Sequence, residues 1–182
     1  MNRDSVSDGD TRRRPIQTRH IEYASFLRDD GLFEIEGKLV DTTITTGRAI
    51  HVMRLSVVFD STLVIRSVTT IMDAGPFAAC AGDNDLFGCL VGERISPGWK
   101  QQVSKKIGRS ESCTHQVELL FSVATVAYQA IAISPEVDGI DPFERLRQKG
   151  EPPHFLDGCR AWQADGDLVK EILPEFFVPR QD

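Results

Sequence analysis

The sequence predicts an α+β domain, an antiparallel sheet of three or more strands with helices covering one face. Residues 33–72 hold period-two and β-rich runs broken by short turn signals, and residues 96–133 then hold two helical patterns. Strand-rich sequence followed by helix-rich sequence is the order of an α+β fold, whereas a parallel α/β sheet would alternate the two.

The first strand is read in "LFEIEGKLVD", where Phe33, Ile35 and Leu39 alternate with Glu34, Glu36 and Lys38. Alternation with period two marks a strand with one buried face. The preceding "DDG" (29–31) is a turn signal, order begins near "PIQTRHIEY", and "TTITTGR" (42–48) reads as a loop. Two β-rich runs, 50–59 and 62–72, then flank "DS" as a hairpin. His51, Met53, Leu55, Val57 and Phe59 share a face of the first run, and Leu63, Ile65, Thr69 and Ile71 share a face of the second.

An apolar sheet face needs a cover. "AGPFAACAGDN" is a loop of small residues, and "DLFGCLVG" is a short helix stopping at Gly92. In "SPGWKQQVSKKIG" Ser96 is placed to cap a helix, Pro97 to open it and Gly108 to end it. Trp99, Val103 and Ile107 recur every four residues on its apolar stripe, and Lys100, Lys105 and Lys106 occupy a solvated face. "CTHQVELLFSVATVAYQAIAI" (113–133) has few polar residues after Glu118, which marks a central helix packed on the sheet. The sequence after it is irregular, and "DGCRAWQADGDLVKEILPEFF" packs back as a short hairpin or helix.

Residues 1–14 carry almost nothing apolar and are expected to form a mobile tail, with residues 15–182 a single domain. The formal net charge is −6. The first 19 residues hold five Arg against three Asp, about +2, which leaves about −8 for the rest. This balance argues against a nucleic-acid surface, which needs clustered Lys and Arg. The N-terminus lacks the apolar core of a secretory signal, and no apolar run is expected to reach the roughly 18–20 residues that cross a bilayer. The four cysteines are therefore expected as free thiols in a cytoplasmic protein, with Cys89 a small core residue. His20 and His154 are expected to be exposed and without a role.

The candidate chemistry lies in "SESCTHQVELL" (110–120), where Cys113 and His115 stand at the start of the long helix. Inside a helix, positions two apart diverge by about 200°. At a helix start the geometry is looser, and with Ser110 or Ser112 as cap the positive helix end favours a Cys113 thiolate. His51 at a strand entrance and Cys80 just beyond the next strand belong to the same sheet edge, because the two strands run antiparallel. His51, Cys80 and Cys113 are therefore candidate ligands for zinc or iron, with His115 or Asp73 as a fourth, and Cys113 and His115 are the candidate catalytic pair. The structural alternative is ordinary cap chemistry around Cys113 and a satisfied, partly buried His51.

The segments "RDDGLFEIEGKLVDT", "GPFAAC", "LVGERISPGW", "SCTHQVELL" and "HFLDGC" resemble a bacterial family of uncharacterised proteins that reads RDDGLWDIEGHLxDT, GCTHLxELL and FLDGC. This chain departs from that pattern at Ser112, Gln116 and Val52. The order of elements over residues 48–132 is also similar to iron–sulfur scaffold proteins of the NifU type, a NifU/SufE-like arrangement. That resemblance aligns His51, Cys80, the Gly92 turn and Cys113 with its ligand positions, with His in place of the first Cys. The resulting expectation is a small-molecule enzyme, metal-dependent or using Cys113 as nucleophile. The alternatives are a non-catalytic iron–sulfur or sulfur carrier and a binding protein without chemistry. A small-molecule ligand and a second copy of the chain are the expected partners, and nucleic acid and membrane are not.

Overall fold

Period-two alternation does place a strand at Phe33, and the register of that strand positions everything later brought to the site. The computed structural model describes residues 12–81, 84–108, 111–153 and 155–180. Four strands, β1 (Gln17–Leu27), β2 (Phe33–Thr43), β3 (Ala49–Phe59) and β4 (Ile65–Ala74), form one antiparallel sheet in chain order. The reading of residues 1–11 as a tail lies outside the described residues.

β1 is the strand that the sequence does not announce. It is an edge strand exposed along most of its length, so it carries little of the hydrophobic alternation that marks a buried face. Its hairpin to β2 closes where "DDG" predicts, with Gly31 at φ 78° and Asp30 Oδ1 accepting from the Leu32 amide at 3.2 Å. On β2 the buried side chains are Phe33, Ile35, Leu39 and Asp41, with Gly37 between them. Gly37 is required by close approach, since a Cβ there would lie 2.9 Å from the Tyr23 ring. That ring passes over the strand so that Tyr23 OH can donate to the Leu119 carbonyl at 2.9 Å.

β3 keeps the expected phase, with Met53, Leu55, Val57 and Phe59 buried. β4 does not. Ile65 is buried, but Thr69 and Ile71 face out and Val68, Thr70 and Met72 face in. A bulge causes the change: Phe59 pairs with Ile65 and Val58 with Ser67, so Arg66 is an extra residue. One inserted residue moves every later side chain to the opposite face.

The covering layer begins with α1 (Trp99–Lys106) and α2 (Thr114–Ile133). Gly98, at φ 86°, takes the cap position of α1, so the helix starts later than the Ser96–Pro97 signal suggests. Ser96 contributes only its carbonyl, to the Trp99 amide at 3.0 Å. The stripe holds: Trp99, Val103 and Ile107 are buried, and the Trp99 indole donates to the Leu120 carbonyl at 2.7 Å. The lysine face pairs in part, with Lys106 at 2.7 Å from Glu93.

α2 buries Leu119, Leu120, Val123, Ala127 and Ala130, while Ser122, Thr125 and Gln129 form an exposed polar stripe. Contrary to expectation, Thr114–Asp138 (25 residues, mean hydropathy 1.6) is long and apolar enough to cross a membrane by length and composition alone. In this fold its apolar side is packed on the sheet, and the helix shares the main core with β2 and β3.

Cys89 is exposed rather than buried. Its segment, Asn84–Leu90, is a 3-10 helix of about three residues per turn, which turns Phe87 and Leu90 inward and Cys89 out. The stretch read as irregular contains α3 (Pro142–Lys149), begun by Asp141, whose carboxylate accepts from the Phe143 amide at 2.9 Å with Pro142 in the first turn. The chain closes on α4 (Asp167–Ile172), with Val169 and Leu173 buried as a small satellite core.

Candidate functional site

Counting two residues past Leu39 on β2 reaches Asp41, an acid on the apolar face of the sheet. Its cross-strand partners are Arg19 on β1 and His51 on β3. Strand register therefore lines up a guanidinium, a carboxylate and an imidazole in one row. Arg19 Nε and Nη2 donate to Asp41 Oδ1 and Oδ2 at 2.7 and 2.8 Å, the two-pronged geometry that suits Arg and a carboxylate. His51 Nδ1 lies 2.9 Å from Asp41 Oδ2. The Asp41 side chain is only 3% exposed while Arg19 keeps 32%, so the row is a part-buried charge arrangement with the acid at its dry end.

α2 completes it. Glu118 accepts from Arg19 Nη1 at 2.6 Å, which ties the helix to the edge strand. His115, in the first turn, lies over His51 with ring centroids 4.0 Å apart and planes tilted by 37°. Cys113 is the cap residue of α2, with φ −73° and ψ 123°. Being extended and outside the helix, it escapes the divergence of helical positions two apart, and its Sγ lies 3.7 Å from His115 Nδ1. Ser112 does not cap α2; its hydroxyl donates to the Gly108 carbonyl at 3.3 Å. Ser110 lies outside the described residues, as does His154, and His20 is exposed as expected.

The Arg19 hydrogen bonds, helped by His51, hold the Asp41 carboxyl below the usual carboxylate range, and Asp41 in turn raises Arg19. Burial pushes His115 below the ordinary histidine value, and the neighbouring His51 and Arg19 charges push the same way. At neutral pH the row is therefore an ionised acid beside a neutral His115, the state in which an imidazole nitrogen can accept a proton or bind a metal.

Asp41, His51 and His115 each offer a ligand atom within 4.8 Å of the other two. A closed tetrahedral nitrogen and oxygen shell spaces its ligands at about 3.3 Å, so side-chain rotation would have to tighten the group. Both Asp41 oxygens already face partners, a position that suits an outer carboxylate orienting His51 through Nδ1 and leaving Nε2 as the ligand atom.

Of the expected site residues, the fold sets His51 and Cys113 each against His115, but Cys113 is outside the group formed by Asp41, His51 and His115. Cys80 lies on the 3-10 turn Ala78–Ala81 against Gly75, where an added Cβ would approach Cys80 Cβ to 2.8 Å, and it is not part of the group of three. The common sheet edge is real, since Val52 pairs with Ala74. Asp73 does not reach the site: it pairs with Arg54 at 2.8 and 2.9 Å on the opposite face of the sheet. Sequence reasoning misses Asp41 and Arg19. The available signal for Asp41 is its inward place in the alternation of β2; for Arg19 there is none until β1 is paired.

No curated protein and no solved structure matches this chain. A family model matches residues 17–129, from the first residue of β1 to near the end of α2, and so spans Arg19, Asp41, His51, Cys80, Cys113, His115 and Glu118. The chain therefore belongs to the family described as "Protein of unknown function (DUF2889)".

Proposed function

We propose that the chain is a small-molecule enzyme whose site is the pair His51 and His115, set against the buried Asp41 carboxylate and using a divalent zinc or iron ion. The observation that carries this reading is the contact of two imidazoles, 4.0 Å between ring centres, beside an acid that is itself clamped by Arg19. Burying such a group has a desolvation cost that apolar side chains would avoid, so packing alone gives it no purpose. A bound ion would supply Lewis-acid polarisation of a substrate oxygen or an activated water. Asp41 fixes the His51 ring and its tautomer, Arg19 keeps Asp41 ionised, and His115 presents a neutral nitrogen.

Cobalt(II) titration followed by visible absorption tests this. Wild type should bind stoichiometrically, and His51→Ala and His115→Ala should each weaken binding by at least about tenfold. Equal affinity in wild type and both variants removes the metal reading.

A second reading rests on the 3.7 Å approach of Cys113 Sγ to His115 Nδ1. In it Cys113 is a nucleophile and His115 its base. The same separation is close to the roughly 3.5 Å between sulfur and nitrogen on a tetrahedral zinc, so Cys113 also suits a ligand role. Alkylation of Cys113 by iodoacetamide should slow in His115→Ala if the imidazole serves as its base. A sulfur or iron–sulfur carrier would instead use Cys113 and Cys80 as ligands, and reconstitution with iron and sulfide would yield a visible-absorbing cluster lost in Cys113→Ser.

A further inference from the structure

β1 forms one edge of the sheet, and among the described residues no strand lies beyond it. Edges are ordinarily blunted by shortness, proline, a bulge or an inward-pointing charge. β1 runs eleven residues in unbroken register with β2, contains no proline, and leaves Ile21, Phe26 and Leu27 exposed. Its one inward charge, Arg19, is already paired with Asp41 and Glu118.

The ladder to β2 decides which groups this edge offers. The Ile44 amide donates to the Ile16 carbonyl at 3.1 Å just before β1, and the Arg28 amide donates to the Leu32 carbonyl at 2.9 Å just after it. Even-numbered residues of β1 therefore turn their main-chain groups toward β2, and odd-numbered residues from Gln17 to Leu27 turn theirs outward. Arg19 and Tyr23 reach α2 on the covered face, so His20, Glu22 and Phe26 lie on the other face.

An antiparallel strand on this edge must set outward groups against outward groups. For two copies of β1 related by a twofold axis, odd residues must meet odd residues, so the axis falls on a residue and not between two. Placed at Ile21, the sequence complements itself. His20 meets Glu22 of the second copy at two symmetric positions, and Ile16 meets Phe26. Ile21 meets its own counterpart and exchanges two main-chain hydrogen bonds with it. Moving the axis one residue earlier sets His20 against His20, and one residue later sets Glu22 against Glu22. We propose that the chain forms a twofold dimer by antiparallel pairing of β1 with β1 of a second copy, centred on Ile21, which joins the two sheets into one. The axis lies two residues from Arg19, so the two Arg19–Asp41–His51 rows flank the interface. The pairing needs no metal at those rows and does not depend on the proposed chemistry.

Sedimentation equilibrium of the full chain at micromolar concentrations, together with amide hydrogen exchange, tests this. Wild type should be a dimer with the outward amides of Arg19, Ile21 and Tyr23 protected. Ile21→Pro removes an amide that β2 does not use, a position where an edge strand tolerates proline. It should give a monomer with an unchanged circular dichroism spectrum and rapid exchange at Arg19 and Tyr23. His20→Glu sets acid against acid at both symmetric positions and should weaken the dimer about tenfold. Adding Glu22→His to it should restore the dimer, a rescue that a merely damaged edge would not show. A wild-type monomer, including one whose outward amides are protected by another segment of the chain, would overturn the proposal. So would a dimer that survives Ile21→Pro, or a charge swap that restores nothing.

Discussion

The two ends of α2 solve opposite problems with the same helix. At its start, Glu118 and His115 meet a row of Arg19, Asp41 and His51 that is mostly withdrawn from water and joined by short hydrogen bonds. At its far end the described partners are half-buried rings and the exposed Glu136 carboxylate. The first end rests on a sheet whose register leaves no freedom in which side chains meet. The second rests on short helices with a small core of their own around Val169 and Leu173. Polar groups can be buried where rigid backbone supplies every partner; where the scaffold is lighter, aromatic surface does the work with weaker geometric demands.

The two tryptophans provide the largest test of that difference. Trp99 is 3% exposed and anchors α1 to α2 through its indole bond to Leu120. Trp99→Ala should cost about 3–5 kcal/mol in urea unfolding. Trp162, only partly buried in its short 3-10 turn, should cost about 1–2 kcal/mol on truncation, the ordinary range for a single substitution. Similar costs would mean that the C-terminal part is as firmly integrated as the sheet.

Asp41→Ala comes next, at about 2–4 kcal/mol, because it leaves the Arg19 guanidinium and the His51 nitrogen facing an empty site. Arg19 is about a third exposed, so water can recover part of what it loses. Glu136→Gln at the other end should stay within about 0.5 kcal/mol. A loss below about 1 kcal/mol for Asp41→Ala would show that the row is wetter than its burial implies.

The smallest expected effect is the pH dependence of stability, measured with a chelator present. The folded His115 binds its proton less readily than an unfolded histidine at 6.5, so the unfolded chain takes up the proton first as pH falls. Its contribution is full above about pH 6.5 and declines from there down to the lowered folded value. Asp41 is also depressed, from 3.8, so its contribution is lost at lower pH still. The melting temperature should therefore begin to fall just below pH 6.5 in wild type, and His115→Gln should flatten that first step. An unchanged step in His115→Gln would assign it to another group.

Much of the frame was legible in residue order alone. Alternation at Phe33, Ile35 and Leu39 and the run from His51 to Phe59 identified the buried faces of β2 and β3, because a side-chain period of two is a local property of extended backbone. The four-residue spacing of Trp99, Val103 and Ile107 identified the core stripe of α1 for the equivalent reason in a helix. Cys113 and His115 at a helix start, and His51 at a strand entrance on the same edge, were also readable.

Tertiary structure decided the rest. Arg66 as an inserted residue reversed the inward face of β4, since neither β4 nor β3 alone records how they pair. Asp41 has no role until β1 sets Arg19 opposite it, 22 residues away in the chain. Glu118 bonds the same Arg19 from 99 residues away. A charge can be buried only where another element supplies its partner, and that partner is fixed by strand register and helix docking, which no local pattern encodes.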